Sequence, residues 1–203
     1  MMSSGPTIET DIVIELLEIY INSILFARQL YPAGIFRQRR AYNMPVWISI
    51  FKPLNHYLAK TLRAARELKH RRKLHKVELL VVKDEPAISL ESYVFELEDH
   101  DFSLETDENL LELEEQIRKS LLNLDCRLKG LKKLPSDATF KIVLHTTETA
   151  FARLGNNPRM QGFPLVRETS HDLTSKVHGV NTQLLPVTYT PNVGLQLYVE
   201  EYL

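Results

Sequence analysis

The stretch from Thr146 to Leu203 constrains the fold most, because it follows an orderly region yet carries no sustained periodicity until Leu184. Gly155, Pro158, Gly162, Pro164 and Gly179 punctuate it. A connection this long inside a small domain is either disordered or functional. Its ending favours function: Leu184 to Tyr189 and Gly194 to Val199 read as strands, and they can pair only if the chain crosses the body of the molecule and docks on a sheet. The tail is therefore expected to act as a moving belt over a core that precedes it.

That core is legible in order. From Glu9 to Leu30 apolar residues fill nearly every face of a helical projection, which predicts a buried helix. Tyr31-Pro32-Ala33-Gly34 ends it, since the residue before a proline avoids helical angles. Ile35-Phe36 and Val46 to Ile50 predict two short strands around a basic loop, Arg37-Gln38-Arg39-Arg40. A second helix begins at Pro53, with Leu54, Tyr57, Leu58, Leu62, Ala65 and Leu68 on one face and Lys60, Arg63, Arg66 and Lys69 on the other.

Val77 to Val82 and Leu90 to Leu97 predict an antiparallel hairpin. The longest helix follows over roughly Asp107 to Leu131. Its leucines invite a coiled-coil reading, but Leu111 and Leu122 widen the stripe to what a sheet-packing helix needs. Thr139 to Thr146 alternates Phe140, Ile142 and Leu144 inward with Lys141 and His145 outward, a half-buried strand whose edge is a candidate for pairing. The expected class is α+β: three helices packed on a mainly antiparallel sheet, one domain over residues 1–203, with a core of about 8–146 and a belt of about 147–203.

Charge is uneven although the chain carries a net charge of only −1. Residues 28–83 hold fourteen Lys or Arg against two acids, and residues 84–115 hold thirteen acids and no Lys or Arg. Two blocks that flank one hairpin are expected to neutralise each other largely; the rival reading is a nucleic-acid face. Cys126 is the single cysteine, which excludes an intrachain disulfide and suits a reducing compartment, nucleus or cytoplasm. Neither a signal peptide nor a membrane span is expected.

Chemistry is sparse. Scattered glycines provide no phosphate-cradling loop, so no cofactor is expected. His171, Asp172 and His178 lack a third predictable ligand, and a metal site is not expected. His145 has no nucleophile or orienting acid nearby in sequence, and no residue is assigned a catalytic role. What remains is recognition by backbone pairing, an extended peptide adding a strand to the exposed edge while the belt closes over it.

Leu30-Tyr31-Pro32-Ala33-Gly34-Ile35-Phe36, Tyr42-Asn43-Met44-Pro45-Val46, Leu54-Asn55-His56-Tyr57, Val143-Leu144-His145-Thr146 and Leu195 to Glu201 together resemble the HORMA-domain family, from the first helix to the end of the chain. The resemblance implies a HORMA fold with a C-terminal safety belt and a non-catalytic adaptor. That adaptor encloses a proline-containing peptide of the catalytic subunit of DNA polymerase zeta. It also implies a second surface for the C-terminal domain of the deoxycytidyl-transferase polymerase in translesion DNA synthesis, so that DNA is met only through partners. Carried over residue by residue, Tyr57 and the stretch Phe163, Pro164, Leu165 would meet the peptide, with Leu165 standing where relatives have a tryptophan. Leu184, Gln196 and Tyr198 would form the scaffold-polymerase surface, and Arg118 would serve pairing of two HORMA domains.

End-protection and anaphase-promoting-complex regulators stay open as further partners. Each residue also has a plainer role: Tyr57 as core, Leu184 as strand packing, Arg118 as a solvated partner of Glu114 or Glu115. Two rival functions remain, a mitotic-checkpoint or meiotic HORMA peptide binder and a direct DNA-binding protein using the 28–83 block.

Overall fold

The computed structural model describes residues 5–83, 88–99, 107–157, 166–167, 182–190 and 193–202. Helix α1 (Gly5–Ala27) is the hub. Val13, Leu16, Leu17, Tyr20, Ile21, Ile24 and Leu25 are all fully buried, as a helix apolar on nearly every face requires. It lies against helices α2 (Lys52–His70) and α3 (Asp107–Gly130), and Tyr20 stacks on Phe95 of the sheet with ring centroids 6.1 Å apart.

Strands β3 (Leu74–Lys83), β4 (Ile88–Leu97), β5 (Ala138–Thr146), β6 (Thr182–Thr190) and β7 (Leu195–Tyr202) form one antiparallel sheet in the order β5-β3-β4-β7-β6. The α+β expectation holds, and so does the docking of the C-terminal strands: β7 pairs with β4, with Phe95 opposite Leu197 and Tyr93 opposite Val199. The inward residues Val77, Leu79, Val81, Tyr93, Phe95, Leu97, Leu195, Leu197 and Val199 meet the helices in one core.

Buried ions tie the layers together. Arg28, at the end of α1, reaches Glu91 of β4 through Nε (3.0 Å) and Nη2 (2.5 Å), and also donates to the Lys132 carbonyl beyond α3. The Tyr93 hydroxyl donates to the same carboxylate at 2.7 Å. Burial raises the Tyr93 pKa well above the usual phenol value. On α2, Lys69 bridges Glu9 (3.0 Å) and Asp99 (2.8 Å) and donates to the Glu98 carbonyl. Charges buried this deeply persist because each finds several partners, and removal of one would strand the rest.

Three local expectations are corrected. The basic stretch is a strand rather than a loop: β1 (Phe36–Ala41) pairs with β2 (Met44–Ser49), with Arg37 opposite Ile48 and Arg39 opposite Val46. The turn is Tyr42-Asn43, with φ of 48° and 61°. Positive φ at both central positions is the two-residue hairpin signature, and it pulls the arginines into the ladder.

Second, the tail is not aperiodic from its start, for α4 (Glu148–Gly155) follows β5 at once, and the Thr147 side chain caps it by accepting from the Ala150 N–H. Third, Leu111 and Leu122 do not widen the buried face of α3. They are 64% and 52% exposed, whereas Leu113, Ile117, Ser120, Leu121, Leu124 and Leu128 are buried. At about 100° per residue, positions 111 and 122 fall well away from that stripe, with 118 at its margin.

Candidate functional site

β5 ends the sheet. It pairs with β3 on one side and has no strand on the other among the described residues. Every residue from Ala138 to Thr146 is half-buried, as befits a strand covered on one side only. Phe140, Ile142 and Leu144 sit opposite Val81, Leu79 and Val77 and pack on the core, as their alternation predicts.

Helix α2 supplies the wall beside this edge. Its buried stripe runs through Leu54, Leu58, Thr61, Leu62, Ala65 and Leu68, and Tyr57 lies at the margin of that stripe. The Tyr57 hydroxyl accepts the Ile142 main-chain N–H at 3.3 Å, so a side chain takes a donor of the edge strand. Burial pushes its phenol up from the ordinary value. Its ring meets Phe140 edge-on, with centroids 6.0 Å apart at 76°.

Phe140 also meets Tyr31 (6.1 Å, 70°), and Tyr31 meets Phe51 (6.4 Å, 51°). Four aromatics from four segments thus line one end of β5. Phe51 and its neighbour Ile50 are 41% and 43% exposed. Edge-on aromatic pairs are each worth about 0.5–1.5 kcal/mol beyond the area they bury, so the cluster is ordered while still offering apolar surface. Tyr31, Phe51 and Phe140 escaped the sequence reading as site residues. Tyr31 lay inside the most distinctive stretch and Phe140 was read as inward, but only tertiary contact joins them.

The opposite face of the sheet carries a buried carboxylate, Glu78 of β3. It accepts from Ser92 of β4 at 2.6 Å and lies 2.9 Å from His145 Nε2 of β5, which cross-links three strands. His145 is therefore a structural partner of an acid 67 positions away that only the β3–β5 register brings beside it.

The second group of predicted residues lies elsewhere. On β7, Leu195, Leu197 and Val199 are fully buried, Gln196 is exposed and Tyr198 is half-buried, the alternation expected of an outward pair. The Tyr198 hydroxyl donates to Glu96 of β4 at 3.0 Å. Burial, followed by that acidic acceptor, raises its pKa far above the phenol range. Leu184 of β6 is opposite Glu200 in register. Two strands separate β5 from β7, which places this group about 14 Å from the β5 edge at the usual strand spacing.

Arg118 stands apart from both, on α3, 3.3 Å from Glu114. It shares its helix face with the exposed Leu111 and Leu122. Cys126 is exposed on the same helix. Phe163, Pro164 and Leu165, like His171, Asp172 and His178, lie outside the described residues.

Comparison with known proteins gives this arrangement relatives. The HORMA domain family model matches residues 10–154. The chain is 38% identical over 193 residues to the protein named DNA polymerase zeta subunit 2 of Drosophila melanogaster, covering 95% of this chain and 96% of that one. Among solved structures, a chain of the crystal structure of the mitotic checkpoint complex superposes with a TM-score of 0.77 at 18% identity, covering 96% of this chain and 98% of that one. C. elegans HTP-2 bound to the HIM-3 closure motif superposes with a TM-score of 0.71 at 16% identity, covering 98% and 92%. At such identities the last two speak for the fold alone.

Proposed function

The chain belongs to the HORMA-domain family, and from that premise we propose that it is a non-catalytic adaptor of DNA polymerase zeta that captures an extended peptide on β5. The observation that carries this reading is the half-exposed β5 edge, with Tyr57, Tyr31, Phe51 and Phe140 beside it and the C-terminal hairpin docked on the other side of the sheet. An added strand gains main-chain hydrogen bonds from such an edge, and alternate side chains find the aromatic wall. HTP-2, solved with a closure motif bound, offers the parallel for a peptide ligand.

The ligand proposed is a proline-containing segment of the polymerase zeta catalytic subunit, as the likeness to DNA polymerase zeta subunit 2 suggests. The belt, residues about 147–203, closes over it, with Phe163, Pro164 and Leu165 facing the peptide. Each apolar anchor buried by closure contributes about 1.5–3 kcal/mol, which offsets the ordering of two chain segments. Gln196, Tyr198 and Leu184 serve a separate contact with the C-terminal domain of the scaffold polymerase. Arg118, flanked by Leu111 and Leu122, serves pairing of two HORMA domains, and the nucleus is the site of action.

Fluorescence anisotropy tests this with a labelled proline-containing peptide from the same organism's polymerase zeta catalytic subunit. Wild type should bind tightly and release slowly, Tyr57→Ala should lose at least tenfold in affinity, and Gln196→Ala with Tyr198→Ala should keep the peptide while losing the scaffold domain. No binding by folded wild type would overturn peptide capture, and equal losses of both ligands in both variants would overturn the two-surface arrangement.

A further inference from the structure

The β1–β2 hairpin has no part in either surface, yet it holds the densest unneutralised charge among the described residues. Arg37, Gln38, Arg39 and Arg40 are consecutive and exposed. About half of the basic block around them is paired: Arg28 with Glu91, Arg66 with Asp11, Lys69 with Glu9 and Asp99, Arg71 with Glu67, Lys76 with Glu78, Lys83 with Asp137. Of these acids only Glu91 and Asp99 come from the acidic block at 84–115, so among the described residues the mutual neutralisation expected from sequence stops short of the hairpin. Arg37, Arg39 and Arg40 form no ion pair among the described residues; Arg40 instead donates to the Asn43 side chain, inside the turn.

The hairpin is held rigidly. Trp47 of β2 stacks on Phe26 of α1 with centroids 4.0 Å apart at 19°, and Phe26 meets Phe36 edge-on. At the turn, the Tyr42 hydroxyl donates to Glu15 at 2.9 Å, so the acid nearest the tip is already engaged. Protection of the edge strands against aggregation is the plainer role for charge here, but one lysine would provide it. Three guanidinium groups on an anchored ribbon are a different device, because the planar fork matches phosphate oxygens in pairs and the backbone is ordered before any ligand arrives.

We propose that this hairpin binds the phosphodiester backbone of DNA directly and without sequence preference. Arg37 and Arg39 share one face of the strand, about 7 Å apart, and Arg40 projects from the other, so the ribbon presents charge on both sides. A two-stranded ribbon is also narrow enough for the major groove, about 12 Å wide. The partner is an anion of repeating phosphates because exposed guanidinium forks at successive positions of one ribbon match phosphate oxygens in pairs, and contacts of this kind position a protein on DNA without reading it.

The test uses the full chain and a fluorescein-labelled 30-base-pair duplex, with the single strand of the same length beside it, titrated from 50 to 200 mM salt. Three phosphate contacts give a slope near −2.7 in log K against log salt, about a fortyfold loss of affinity over that range. Arg37→Gln, Arg39→Gln and Arg40→Gln together should abolish most of that slope. The three Arg→Lys changes should keep it while weakening affinity severalfold. Lys129→Gln, Lys132→Gln and Lys133→Gln, which remove equal charge in and just after the last turn of α3, should leave binding within twofold. Circular dichroism melting establishes that each variant is folded. Absence of binding by wild type at 50 mM salt overturns the proposal, as do equal losses in the hairpin and α3 variants, or polyglutamate of matched charge competing as well as DNA.

Discussion

β5 and β7 flank the same central pair, β3 and β4, and are nearly equal in length, yet they live in different environments. β7 has β4 on one side and β6 on the other, and its inward residues Leu195, Leu197 and Val199 are fully buried. Among the described residues β5 has only β3, and all nine of its residues keep part of their surface in solvent. The lesson concerns main-chain donors. A strand paired twice spends its hydrogen bonds on the fold, whereas a strand paired once keeps a row of them for something else. At β5 one such donor, the Ile142 N–H, is taken by the Tyr57 hydroxyl rather than by another strand. β7 is part of the scaffold, and β5 is where the sheet of the described residues ends.

The sharpest way to break this contrast is through the core contribution of each strand. Leu197→Ala should destabilise the protein by about 2–5 kcal/mol in urea unfolding, because a fully buried leucine leaves a cavity. Leu144→Ala, at a half-buried position of β5, should cost less than about half as much. Equal costs would mean that β5 is as deeply embedded as β7.

A smaller effect sharpens the edge itself. Tyr57→Phe removes the hydroxyl that accepts the Ile142 N–H but keeps the ring against Phe140, so stability should fall by about 0.5–1.5 kcal/mol. Amide exchange at Ile142 should quicken in the same variant. An unchanged exchange rate would show that the hydroxyl does not protect this donor.

The smallest effect lies in alkaline pH. Phenols in both regions have folded pKa values above the ordinary value of about 10, Tyr57 through burial and Tyr198 through burial and then its Glu96 acceptor. A raised folded value means the folded state holds the proton more tightly. The resulting stability is complete below pH 10 and is lost as pH rises through the folded values. Urea midpoints should therefore fall between pH 9 and pH 11, and Tyr198→Phe should flatten that fall more than Tyr57→Phe, since the Tyr198 shift is the larger. The reverse order would place the tighter phenol at the β5 edge.

Much of this was readable beforehand, because the signals are local. A helix apolar all round has to be buried, and α1 is. β-branched and aromatic runs at 77–82 and 90–97 correspond to β3 and β4, the alternation at 139–146 to β5, and the alternation at 195–199 sets Gln196 and Tyr198 against the buried Leu195, Leu197 and Val199. Where local signals competed, reading failed. Four polar residues at 37–40 resemble a loop, although Asn43 three positions on marks the true turn, and the leucines at 111 and 122 lie off the buried face of their helix.

The sequence by itself determined where the three long helices and the strands of the large sheet lie, and that the tail had to end on a sheet, because periodicity and turn chemistry act over a few residues. Only the tertiary structure decided that the edge anticipated at 139–146 would meet no further strand among the described residues, that Tyr31, Phe51, Tyr57 and Phe140 would gather beside it, and that the arginines of β1 would pair with no acid among those residues. Those outcomes depend on strand order and on contacts between residues up to about a hundred positions apart, and no local pattern of hydrophobicity or charge encodes either.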